Sequence, residues 1–121
     1  MAGALVLRLV GEVTGIDDQL DFHVRGDLVT TPTKRAEMIQ IQATTNTAEA
    51  LNLGGVATPG SITIEALDNA VDIDTSFVAT FAAEIRLKEG EFATFTPSGV
   101  TYIKNNVAGE TVTIHSIVVG T

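Results

Sequence analysis

The chain has 121 residues, 45% of them hydrophobic but only 5% aromatic, and no cysteine; that length suits one domain, expected over residues 1–121, and the lack of cysteine rules out disulfide staples and thiolate metal sites. Fifteen acidic residues against seven basic ones give a formal net charge of −8, a field that repels phosphate backbones and anionic lipid and argues against nucleic acid and membrane surfaces as partners. The apolar run Ala4 to Val10 is broken by Arg8 and has no basic region before it, so it lacks the form of a secretory leader, and no stretch has the length of a bilayer span; a mature, soluble chain is expected.

The apolar residues are mostly Val, Ile, Leu and Ala, which suit half-buried strands. Leu5 to Ile16 predicts a long first strand with Leu5, Leu7 and Leu9 on one face and Arg8 on the wetter side. After a turn at Gly15 to Asp18, Leu20, Phe22 and Val24 alternate with Asp21, His23 and Arg25, which predicts an antiparallel hairpin with the first strand. The segment Gly26 to Lys34 carries Pro32 and three threonines and reads as a loop or crossing connection. A third strand is expected from Ala36 to Thr44, with Glu37, Ile39, Ile41 and Ala43 facing one way and Met38, Gln40 and Gln42 the other. Thr47 to Leu53 fits either two short helical turns or a short strand.

Turn signals then crowd together at Gly54, Gly55, Thr58, Pro59 and Gly60. Ile62, Ile64 and Leu67 lead to a turn at Asp68 and Asn69, and Val71 and Ile73 resume the alternation, so Gly54 to Asp74 reads as a β-hairpin. Between Phe77 and Leu87 every odd position is apolar, favouring one strand, with a helix as the alternative. A hairpin turn at Glu89 and Gly90, a short strand with Phe92 and Phe95, a turn at Pro97 to Gly99, and a strand with Val100, Tyr102, Ile103 and Lys104 follow. After a loop from Asn105 to Gly109, Thr111 to Val119 is the last strand, setting Val112, Ile114 and Val118 opposite His115, Ile117 and Val119. About eight or nine strands at this spacing predict an all-β antiparallel sandwich of the Greek-key or jelly-roll kind.

Catalytic chemistry has little to stand on. The two histidines, His23 and His115, each lie in an alternating strand and read as surface or half-buried side chains rather than as a general base. No nucleophile elbow, phosphate-binding glycine loop or H-E-x-x-H motif occurs, so no catalytic, cofactor-binding or metal residues are assigned and no enzyme activity is expected. Asp68, Asp72 and Asp74 with Asn69 are the best oxygen-ligand set for calcium, and Asp17, Asp18 and Asp21 form a second acidic turn; a solvated polar face is the favoured reading of the first and no site is assigned to either. Arg25, Gly26 and Asp27 spell an adhesion-type tripeptide, read instead as a turn after a strand. Phe77, Phe81, Phe92, Phe95 and Tyr102 invite a carbohydrate-platform reading, but the inward period of Phe77 and Phe81 points to the core.

The order LGGVATPGSITIEALDNAVDI, RLKEGEFATFTP, VTYIKNN and TVTIHSIVV between Leu53 and Val119 resembles a class of small virion proteins of tailed bacteriophages. The likeness lies in the Pro-Gly turn at Thr58 to Gly60, the Leu67–Asp68 turn, the Leu-Lys-x-Gly-Glu hairpin at Leu87 to Glu91, Tyr102 and the closing strand Val112 to Val119. It departs at Ala66, where that class generally has asparagine before Leu-Asp. The resemblance implies a jelly-roll-like sandwich acting as a capsid decoration (cement) protein or as a head, neck or tail component. It would be made in the host cytoplasm and carried on the outer surface of the virion. The expected partners are the major capsid protein or other virion proteins and further copies of the chain, with a trimer favoured. A ligand- or carbohydrate-binding module is the alternative from another class.

Overall fold

The structure is a computed structural model that describes residues 4–13, 20–29, 32–42 and 47–121. Within these residues the chain forms ten strands. The first two, β1 (Leu5–Val13) and β2 (Leu20–Val29), pair only with each other as an antiparallel ribbon. The expected antiparallel pairing is therefore present, and the expected turn at Gly15 to Asp18 lies outside the described residues. The tripeptide Arg25–Gly26–Asp27 is not a turn: β2 runs through it, with Gly26 opposite Leu7 and Asp27 opposite Val6.

The remaining eight strands are β3 (Lys34–Gln42), β4 (Glu49–Ala50), β5 (Pro59–Asp68), β6 (Val71–Phe77), β7 (Ile85–Leu87), β8 (Phe92–Phe95), β9 (Val100–Asn105) and β10 (Val112–Gly120). They form two antiparallel four-stranded sheets, ordered β3-β10-β5-β8 and β4-β9-β6-β7. Every connection from β3 onward crosses between the sheets except β6 to β7. Eight strands threaded in this way make a jelly roll, an arrangement that folds two Greek keys around one core. The sheet class expected from the alternation is thus the one observed.

The core follows the two-residue period of the strands. Ile62, Ile64 and Ala66 of β5 meet Val71 and Ile73 of β6, Ile103 of β9, and Val112, Ile114 and Val118 of β10, all with no exposed surface. β10 alternates along its whole length, burying Val112, Ile114, Ser116, Val118 and Gly120 and turning Thr113, His115, Ile117 and Val119 outward. It pairs with β3 on one side and β5 on the other, so it supplies both a central ladder and a continuous inward row.

Several local expectations are corrected. Gly54 to Asp74 is not a hairpin, because β5 and β6 lie in different sheets. Asn69, with φ of 52°, takes the left-handed conformation that asparagine tolerates. The turn is fastened to β10, not folded back on β5. The Thr113 amide and hydroxyl donate to the Asp68 carboxylate at 2.6 and 3.1 Å, and the Asn69 amide donates to the Thr111 carbonyl at 2.8 Å. Both flanking strands must bury their apolar rows in one core, which a shared sheet would place side by side and a crossing places face to face. Gly54 and Gly55 do turn, but Pro59 and Gly60 open β5, a first-residue position where the missing N–H of proline costs no ladder bond.

The run from Phe77 to Leu87 is neither one strand nor a helix. β6 ends at Phe77, β7 begins at Ile85, and residues 78–84 form a loop. The turn at Glu89 and Gly90 joins β7 to β8 across the sheets and is not a hairpin. Thr47 to Leu53 resolves as the short strand β4, not helical turns. Its register is fixed partly from the opposite sheet: the Gln40 side chain donates to the Ala50 carbonyl at 3.1 Å and accepts from the Asn52 amide at 2.8 Å.

Two positions on the inward row of β10 test this packing. A β-carbon added at Gly120 would lie 2.1 Å from the Thr58 carbonyl oxygen and 2.9 Å from Pro59 Cα, both rigid backbone, so Gly120→Ala is expected to lower stability by about 1–3 kcal/mol. Ser116 is buried, and among the described residues its hydroxyl has no partner; Ser116→Ala should raise stability by about 1 kcal/mol. Urea unfolding of both variants measures the two opposite signs.

Candidate interaction surface

The two sheets present different outer faces. On the β9 sheet, Asp72 of β6 receives Arg86 of β7 at 2.8 and 3.1 Å and the Asn106 side chain at 3.2 Å. Asp74 accepts the backbone amides of Ser76 and Ala82, both at 2.9 Å. Glu84 accepts the hydroxyls of Thr75 and Ser76, and Lys104 sits 5.8 Å from the centre of the Phe81 ring. Phe77 stacks on Tyr102 with centroids 3.7 Å apart. The 78–84 loop is thereby strapped across part of this face, with Val78 of the loop and Val100 of β9 left exposed.

These contacts decide several sequence candidates. Asp68, Asp72 and Asp74 are each engaged separately, by Thr113, by Arg86 and Asn106, and by backbone amides. Among the described residues no group of three or more His, Asp or Glu side chains is placed to hold a metal ion. Asp17 and Asp18 lie outside the described residues, as do the side chains of Asp21 and His23. Phe77, at the end of β6, and Phe81, within the strap, are half-buried against Tyr102 and Lys104, not in the core as their period suggested, while Phe95 packs against the core and Phe92 is exposed. They do not converge on one open platform.

The outer face of the β10 sheet is open and apolar at its margins. The ladder registers align Ile39 of β3, His115 of β10, Glu65 of β5 and Phe92 of β8 in one row across all four strands. Ile39 and Phe92, at its ends, are each 61% exposed, and Ile41 and Leu67 in the adjoining positions are 65% and 42% exposed. Single exposed apolar residues are ordinary, but several on one flat face mark a surface that other proteins can cover. Between them lies an ionic row. His115 Nε2 is 2.7 Å from Glu37 and its Nδ1 3.6 Å from Glu65, and Arg35 donates to Glu37 at 2.9 Å. Hydrogen bonds from His115 and then Arg35 hold the Glu37 carboxyl below its ordinary value.

This surface was hidden in the sequence because β3 has two plausible faces. The partition of its residues is as expected, yet the side turned inward is Ala36, Met38, Gln40 and Gln42, and Ile39 and Ile41 face outward. The Gln42 amide is buried and donates to the carbonyls of Thr47 and Ile103 at 2.7 and 3.3 Å. Hydrogen-bonding demand at the open side of the sandwich therefore outweighs the apolar preference of the isoleucines. At the far end of the same face, a shallow cleft of about 490 Å³ separates Ala4 and Leu5 from Ile117 and Val119. No helix among the described residues is long and apolar enough to cross a membrane.

Comparison with known proteins finds no matching family, no matching curated relative and no matching solved structure. The reading of function therefore rests on the residues and on the two unlike faces.

The strap supplies a pH test. Hydrogen bonds from the Ser76 and Thr75 hydroxyls hold the Glu84 carboxyl below its ordinary 4.5. A depressed folded value means that the carboxylate stabilises the strap fully above about 4.5 and loses that effect as pH falls through the lowered folded value. Amide exchange at Thr75, whose N–H donates to Glu84 at 3.2 Å, corrected for the intrinsic pH dependence, should rise on acidification below pH 4.5. Glu84→Gln should show the raised exchange already at neutral pH and respond less to acid.

Proposed function

We propose that this chain is a structural protein of a tailed-bacteriophage particle, a capsid decoration protein that binds the outer shell by protein–protein contact. The observation that carries the reading is the open outer face of the β10 sheet, where Ile39, Ile41, Leu67 and Phe92 remain exposed on one sheet around a self-paired ionic row. A sheet face with exposed apolar side chains around an ionic row suits docking on another folded protein better than enclosing a small molecule. The jelly-roll strand order agrees with the fold that the phage-protein resemblance implies, and the charge of −8 favours a position outside a shell, away from packaged DNA.

A cement protein acts through many modest, repeated contacts, each copy burying surface across neighbouring shell subunits. Deleting the coding sequence from a phage that carries it should leave particles that assemble but lose infectivity faster on heating. Purified wild-type particles should contain the chain by mass spectrometry. Particles lacking it, or deletion particles of unchanged heat resistance, would refute the proposal. Ile39→Ser with Phe92→Ser should weaken binding to chain-free shells by about tenfold or more, as loss of exposed apolar anchors does at other interfaces, without lowering the stability of the isolated protein.

A further inference from the structure

The sandwich leaves one long sheet edge uncovered. Three of its four edge strands, β4, β7 and β8, are only two, three and four residues long, and shortness is one way in which proteins keep a sheet edge from pairing with another chain. The fourth, β3, runs nine residues and bonds to β10 along one side only. Among the described residues no backbone hydrogen bond joins Arg35 to Gln42 to anything but β10. The other usual guards are missing too, since β3 has no proline and pairs with β10 without a bulge. Lys34, the one charge on its inward row, stands at its first residue and is bonded to the Gly55 carbonyl. Side-chain burial marks the same gap. Gly54 packs closely under Ala36 and Met38, yet both stay only half-buried, whereas the inward row of β10 beside them is buried throughout.

We propose that this edge is covered by the same edge of a second copy of the chain, the two β3 strands pairing antiparallel about a two-fold axis at Met38. The strand is complementary to itself in that register. Met38 meets the second copy's Met38, Glu37 meets Ile39, Ala36 meets Gln40, Arg35 meets Ile41 and Lys34 meets Gln42. Every residue of β3 then has an opposite, over a ladder about 30 Å long, and no two like charges stand face to face. The half-buried inward rows also fall on one side, where each covers the other. A slip of one residue would turn an inward row outward. A slip of two either sets Glu37 against Glu37, which repel, or leaves Lys34 and Arg35 with nothing opposite. The pairing joins the two β10 sheets edge to edge through backbone groups and leaves their outer faces open, so it stands apart from the reading of those faces as a shell-binding surface. An isologous contact of this kind closes on itself, giving a dimer where the phage-protein resemblance implies a trimer.

The test joins solution mass with cysteine cross-linking of the full chain, which has no cysteine of its own. Light scattering should give the wild type twice the monomer mass of 12.7 kDa. Residues directly opposite in an antiparallel ladder have Cα atoms about 4.5–5.5 Å apart, within the span of a disulfide, while diagonal neighbours are about 7–8 Å apart and outside it. Met38→Cys should therefore form a disulfide-linked dimer on mild oxidation. Glu37→Cys and Ile39→Cys, both at exposed positions, should not cross-link singly but should do so when mixed one to one before oxidation. A wild type that stays monomeric as its concentration is raised would overturn the proposal, and so would a trimer. A dimer in which neither Met38→Cys nor the mixture cross-links would overturn it as well, because the copies then meet elsewhere, and cross-linking by Glu37→Cys or Ile39→Cys alone would rule out the register. Binding to phage shells is measured separately and is decided by none of these outcomes.

Discussion

The sandwich depends on one strand satisfying two demands at once. β10 is hydrogen-bonded along its length to β3 on one edge and to β5 on the other, while its inward side chains Val112, Ile114 and Val118 fill the space between the sheets. The strict alternation of its burial is what allows both demands to be met, because ladder bonds lie in the plane of a sheet and side chains stand perpendicular to it. Even the corner between β5 and β6 is tied to it, through Asp68 and Thr113. Where the backbone of another segment closes on this strand, at Gly120 against Thr58, only a hydrogen atom fits.

The fold was largely legible in the sequence where burial and hydrophobicity agree. The alternation of Ile62 and Ile64, of Val71 and Ile73, and of Val112 through Val118 marked strands that are found as such. The connections were less so, for a physical reason. Asp68 and Asn69 announce that the chain turns, but a turn residue reports local φ and ψ, not which strand the next segment pairs with. The same ambiguity at Glu89 and Gly90 concealed a second crossing. Between Phe77 and Leu87 the two-residue period was accidental: Ala79 and Ala83 are exposed, and Phe77 and Phe81 are held by Tyr102 and Lys104 on the outside of the sheet.

The candidate surface was the least legible part. Nothing in the letters Ala36 to Gln42 says that glutamines turn in and isoleucines out; that choice is made by acceptors outside the strand, the carbonyls of Thr47 and of Ala50 and Ile103 on the other sheet. The outcome is a molecule with two unlike faces. The β9 sheet is crossed by the strap that Asp74 and Glu84 hold, whereas the β10 sheet exposes apolar side chains around a self-paired ionic row. The apolar side chains on this side flank acidic groups, Glu37 and Glu65, that His115 and Arg35 already engage.

The central place of β10 also sets the order in which the molecule can form. β3 and β5, its two ladder partners, are both made long before it, and β5 pairs otherwise only with the four-residue β8. During synthesis each of them waits with an unpaired edge and an unburied apolar row until β10 emerges, the condition under which strands find wrong partners. Closing a ladder between Lys34 and Gly120 further requires a loop of most of the chain, a contact pattern that makes folding slow. The packing of this sandwich is therefore completed late and all together.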